Sequence, residues 1–184
     1  FSLIFSLNIE NKKILIINLN IEKNDIKIII GKKTKKTDNI INWKKEIDIL
    51  TISKKHYDKN NIDIKRQIES LLEKFSNVYD YIIIDLENIE EYKEIIKKSD
   101  TIVIIVEANL LGIKETKEIL EKLINKYKNQ KDKIKIIYNK QTITSIQKSI
   151  LDTMFSDFEI AGEIQYDNFY NFFINTNGKF ITKK

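Results

Sequence analysis

The sequence predicts an α/β protein built on a doubly wound, mostly parallel sheet with helices on both faces. Two observations carry this. The runs Ile14–Ile17, Tyr81–Ile84 and Thr101–Val106 are apolar without polar alternation, which is the pattern of strands covered on both sides. Between and after such runs, apolar residues recur at helical spacing, so strands and helices alternate with short joints. No internal repeat or low-complexity linker interrupts the pattern. The expectation is one domain spanning 1–184.

Taken in order, Leu3, Ile4 and Leu7 can share a helical face with Phe1, giving a short helical stretch ahead of the Ile14–Ile17 strand. Residues 22–46 are poorly patterned: a strand at Ile26–Ile30 is expected, then a lysine-rich loop. Ile47–Ile52 reads as a strand. Ile64, Ile68, Leu71, Leu72 and Phe75 define an amphipathic helix over 62–76 that leads into Tyr81–Ile84. Ile89, Tyr92 and Ile96 mark a shorter helix before the Thr101–Val106 strand. Ile113, Leu120, Leu123, Ile124 and Tyr127 set the longest helix at 112–128. A strand at Ile134–Tyr138, a helix at 143–155, a strand at Ile160–Ile164 and a helix at 167–176 closed by Gly178 complete the chain. The aromatic group Phe169, Tyr170, Phe172 and Phe173 falls in that last helix and reads as partly core.

Composition narrows the function classes. Hydrophobic residues make up 42% and charged residues 32% of the chain, a globular balance. No apolar run reaches the roughly 18 residues of a membrane span. No basic leader with a cleavage site precedes the first apolar segment, and the expected location is cytoplasmic. The absence of cysteine excludes disulfides and thiolate metal sites, and the single His56 cannot build a histidine cluster. Proline is absent and Ile, Lys and Asn dominate, so the net charge of +5 is modest evidence for an acidic partner. Lys32, Lys33, Lys35 and Lys36 form the one dense basic cluster, read first as a solvated loop and only second as a contact for nucleic acid or anionic lipid.

The chemistry points to Asp85. A buried strand that ends in a carboxylate delivers it to the sheet edge where ligands of open α/β folds bind. One acid there suits Mg²⁺, which keeps several waters and needs few protein ligands. No phosphate-binding glycine loop accompanies it: Gly31-Lys32-Lys33 and Gly178-Lys179-Phe180 both lack the spacing.

Several segments, in order, resemble the MinD/ParA family of P-loop ATPases. Asn11-Lys12-Lys13-Ile14-Leu15-Ile16-Ile17-Asn18-Leu19-Asn20 resembles the family's "GKKVLLIDLD", and Tyr79-Asp80-Tyr81-Ile82-Ile83-Ile84-Asp85 its "YDYVIID" Walker B strand. Asp100–Glu107 looks like the strand ending in "EPD", and Ile136-Ile137-Tyr138-Asn139-Lys140 like "VLNR/NK". Ile160–Asp167 is similar to "VLGVIPYD", and Ile174–Lys179 to "AINEGKP". Within the family the pilus-localisation branch, the CpaE and TadZ proteins, looks most alike. The resemblance implies a three-layer P-loop NTPase-like fold.

The resemblance also implies roles. Asp85 would orient the water shell of Mg²⁺. Asn139, with Lys140, would meet the purine edge, and Tyr166 and Asp167 would line the base pocket. A turn or helix-cap role remains open for Asn139. Where the family carries the Asp that positions the attacking water, this chain has Asn18, and the second acid is Asn20. An amide takes no proton and carries no negative charge, so family-type hydrolysis should be weak or absent. Glu107-Ala108-Asn109 also replaces "EPD".

The chain opens with Phe1 rather than Met. The expectation is a fragment or trimmed product whose Walker A loop ends roughly five residues upstream of Phe1. ATP or ADP with Mg²⁺ are the implied cofactors if that loop exists. The implied function is a degenerate or truncated positioning protein for pilus, division or partition machinery. The alternatives are an active, ATP-dependent dimerising localisation ATPase and, ranked last, a DNA-associating partition protein. The implied partners are a protein of a membrane-associated or polar apparatus, through which it would sit at the membrane or cell pole, and a second copy in a homodimer. The tail after Gly178 is too short for an amphipathic membrane anchor.

Overall fold

The computed structural model describes residues 6, 9–19, 40–51, 62–86, 88–128 and 131–166, which fall into two compact units dividing between Asn88 and Ile89. The strand expected at Ile26–Ile30, the Lys32–Lys36 loop, the helix at 167–176 with its aromatic group, and nearly all of the Phe1–Ile9 stretch lie outside the described residues.

The first unit is built around β1 (Ile14–Asn18), in which Ile14, Leu15, Ile16 and Ile17 are wholly buried. Burial on both faces explains why the sequence shows no alternation here. Each of these side chains contributes about 1.5–3 kcal/mol by leaving water. β2 (Ile40–Lys44), β3 (Ile47–Thr51) and β4 (Tyr81–Asp85) complete a four-stranded sheet in the order β2-β3-β1-β4. β3 and β4 flank β1 in parallel, and β2 pairs antiparallel with β3. β2 answers no expectation: its five residues are too few for a pattern, and the turn to β3 lacks Gly or Asn. Glu46 instead takes the left-handed conformation there (φ 66°) and its carbonyl accepts from the Ile14 amide at 2.8 Å. One sheet face collects Ile14, Ile16, Ile47 and Ile49, with Ile9, Trp43 and Ile83 packed against them. Helix α1 (Ile62–Phe75), expected at 62–76, buries Ile68 fully and precedes β4.

The second unit holds α2 (Lys93–Lys98) and three parallel strands, β5 (Ile102–Glu107), β6 (Ile134–Gln141) and β7 (Glu159–Gln165), in that order across the sheet. α3 (Leu110–Glu121) connects β5 to β6 and continues as a π-helical turn, Lys122–Lys126; α4 (Lys148–Met154) connects β6 to β7. Right-handed crossovers between sequential strands put both helices on one face. Burial agrees: Ile104, Val106, Ile136 and Tyr138 share a buried face, and Tyr138 donates from its hydroxyl to Asp152 of α4 at 3.0 Å. Its ring lies 6.5 Å from that of Phe155, just beyond α4.

Two expectations need correction. β4 and β5 are not doubly buried: Ile82, Ile83 and Ile84 are half-buried, and Val103 and Ile105 are 40% and 41% exposed. Among the described residues these are the terminal strands of their sheets, so each has a neighbour on one side only. The helix expected at 143–155 begins only at Lys148. Thr142, Thr144 and Ser145 form a local hydroxyl network instead, with Ser145 Oγ accepting from the Thr142 amide at 3.0 Å, and such side chains compete with helical hydrogen bonds. No helix among the described residues is long and apolar enough to cross a membrane.

Candidate functional site

On the first sheet, β1 and β4 run in register from Ile14 opposite Tyr81 to Asn18 opposite Asp85. Two of the residues singled out from the sequence are therefore brought together at the carboxyl edge. The Leu19 amide, just past β1, donates to the Asp85 carbonyl at 2.9 Å and closes the ladder. Asp85 faces solvent, whereas Asn18 is only 5% exposed. A neutral amide suits that burial, since a carboxylate there would lose hydration beside a second acid. An exposed carboxylate at a strand end, with an amide oxygen next to it, fits Mg²⁺ bound mostly through water. Asp85 and Asn18 are the residues that would hold it. No cluster of three or more His, Cys, Asp or Glu with metal-binding geometry occurs among the described residues, so a site richer in acids is not formed there. Asn20 lies outside the described residues.

The second sheet gathers another set at its own carboxyl edge. Glu107 ends β5 opposite Asn139 of β6, and the Lys140 ammonium pairs with the Glu107 carboxylate. Lys140 adopts a left-handed backbone (φ 53°) within β6, where the register against β7 shifts between Tyr138 and Gln141. Tyr166 follows β7, donates its amide to the Gln141 carbonyl at 2.9 Å and leaves its side chain 45% exposed. Asn139, Lys140 and Tyr166 are thus neighbours along one edge, with the charge of Lys140 already engaged by Glu107. Asp167 lies outside the described residues.

The β5–α3 junction holds this edge rigid. Asn109 caps α3, its Oδ1 accepting from the Gly112 amide at 2.8 Å. A Cβ on Gly112 would stand 2.5 Å from the Glu107 carbonyl oxygen, so only glycine lets the helix start this close to the strand. The Ile146 amide donates to the Ala108 carbonyl at 3.0 Å and ties the next loop to the junction. Sequence reasoning noted Glu107-Ala108-Asn109 only as a departure from "EPD". The available signal was Asn109 three residues before Gly112, a cap with its close-packed glycine.

These features define a class: a mostly parallel α/β fold with an acid, Asp85, at the carboxyl end of β4 in one unit and an amide, Asn139, toward the carboxyl end of β6 in the other. No protein-family model and no curated protein sequence matches the chain. Solved structures do. A ParA family ATPase from Chlorobium tepidum superposes with a TM-score of 0.78 at 17% identity, covering 95% of this chain and 80% of that one. The MinC:MinD cell division protein complex of Aquifex aeolicus gives 0.68 at 16% identity, with coverage of 91% and 74%. A plasmid partition protein from Borrelia burgdorferi B31 bound to AMPPNP gives 0.67 at 18%, with coverage of 100% and 84%. The fold is that of the ParA and MinD ATPases. At these identities the likeness establishes the architecture and not the activity.

Proposed function

We propose that this chain is a ParA/MinD-type positioning protein whose nucleotide chemistry is weakened at the hydrolytic step. The observation that carries the reading is Asn18, buried and in register with Asp85 at the carboxyl edge of β1 and β4. The fold supports the class, and Asp85 supplies the acid for a magnesium-bound nucleotide. Asn18 supplies an amide where the family's general chemistry needs a carboxylate, so substrate is retained while water is poorly activated. Asn139, Lys140, Tyr166 and Asp167 form the base-facing edge in this reading. The pilus-localisation branch and a partner in a membrane-associated or polar apparatus are its finer form, as is a single domain across 1–184.

The reading includes a strand and phosphate loop upstream of Phe1. In its support, β4 is terminal in its sheet among the described residues, and a further parallel strand beside it would extend that sheet.

The test is Mg-ATP binding, turnover and self-association of the protein with its native N-terminus, beside its Asn18→Asp variant. Binding with little turnover in the wild type, and turnover gained in the variant, is the expected result. Robust wild-type hydrolysis overturns the weakened step. A wild type that neither binds Mg-ATP nor changes its self-association with it overturns the nucleotide-dependent role altogether.

A further inference from the structure

The Tyr79-Asp80 pair that opens the Tyr79–Asp85 segment has no part in the site, which lies at the other end of β4. Its contacts are nonetheless specific. The Tyr79 hydroxyl donates to Asp48 Oδ2 of β3 at 2.8 Å, reaching past β1, which lies between β3 and β4. Asp48 Oδ1 in turn accepts from Asn42 Nδ2 of β2 at 2.9 Å. Asp80 Oδ2 accepts the Lys13 amide at 2.8 Å, and Oδ1 meets the Lys12 ammonium at 3.2 Å. The Asp80 amide returns a bond to the Lys13 carbonyl at 2.9 Å. The Tyr79 ring is held from outside by Phe75 at the end of α1, edge-on with centroids 5.7 Å apart.

We infer that Tyr79 and Asp80 are positioning residues: a strap across the amino edge that fixes the register of β3, β1 and β4 and so sets Asp85 beside Asn18. This rests on the proposed reading of Asp85 as the magnesium acid. The physical need is plain. Neighbouring parallel strands of Ile and Leu offer many near-equivalent pairings, and a slip of one residue turns every side chain to the other face. Asp85 lies about 16 Å along the strand from Asp80, so an error admitted at one edge is delivered whole to the other. Both contacts persist at neutral pH. Burial first, and Asp48 second, push the Tyr79 phenol up to about 12, and the Lys13 amide holds Asp80 below the usual carboxylate range.

The experiment compares Tyr79→Phe, which keeps the ring, and Asp80→Asn with Ile68→Val, a buried control in α1. Amide exchange at Leu19, whose N–H bonds to the Asp85 carbonyl at the far edge, reads the register directly. Mn²⁺ binding followed by electron paramagnetic resonance reads the acid, with Asp85→Asn as the blank. The strap predicts that Leu19 exchanges about tenfold faster in the first two variants and not in the control. It also predicts Mn²⁺ affinity lowered by about tenfold in the same two. Leu19 exchange no faster than in Ile68→Val overturns the strap. If wild-type Mn²⁺ binding equals that of Asp85→Asn, the metal reading fails, and Leu19 exchange still decides the strap.

Discussion

Asn18→Asp puts a carboxylate opposite Asp85 at the end of β1, and its energetic consequence follows from position alone. Asn18 is 5% exposed and opposes Asp85 in a parallel pair, where strand axes are about 4.8 Å apart. Two carboxylates there would lie about 6 Å apart and repel by about 3 kcal/mol at an effective dielectric near 20. Solvent at Asp85 screens part of this, while burial at position 18 adds a desolvation penalty. The net loss expected at pH 8 is about 2 kcal/mol. The new carboxyl's folded pKa is therefore raised above its unfolded value of about 3.9. A raised group gives its full stability below the unfolded pKa and loses it as pH rises through the folded one. Urea unfolding of wild type and variant at about pH 3 and pH 8 should give nearly equal stabilities at the lower pH and a gap of about 2 kcal/mol at the higher. Millimolar Mg²⁺ should narrow the gap at pH 8 by binding the folded state. A wild-type-to-variant difference that is independent of both pH and Mg²⁺ would refute the placement of Asn18 against Asp85.

Three further outcomes are expected. Gly112→Ala must displace the Glu107 carbonyl, now 2.5 Å from the added Cβ, and should destabilise by about 1–3 kcal/mol, read as a lower urea midpoint with unchanged slope. Ile16→Ala empties a wholly buried position in the core around β1 and should cost about 2–5 kcal/mol by the same assay. Tyr138→Phe removes the hydroxyl bonded to Asp152 and should cost about 1–2 kcal/mol, constant from about pH 6 to 9. Burial, and then Asp152, push that phenol up from its ordinary value, so its contribution is present below a pH of about 10 and shrinks as pH rises beyond it.

The sequence by itself determined which segments are strands and which are helices wherever burial is one-sided or complete. Ile14–Ile17 read as an inner strand from its unbroken apolar run and α1 from its apolar spacing. The same unbroken pattern in β4 and β5 gave no sign of their partly exposed side chains. It also determined the chemical inventory: an acid at Asp85, an amide at Asn18, no cysteine and one histidine. Segments held by side-chain hydrogen bonds or by unusual backbone were not legible. β2 and its Glu46 turn carry no glycine signal, and the Thr142–Ser145 network delays α4 for reasons that periodicity does not encode. Only the tertiary structure decided that Asn18 and Asp85 are partners, that Lys140 is engaged by Glu107, and that Tyr79 reaches Asp48 on the far side of β1. The physical reason is that propensity and hydrophobic period are local, falling within a turn or a strand. Register and charge pairing join residues 31, 33 and 67 positions apart, and those are fixed only when the sheets assemble.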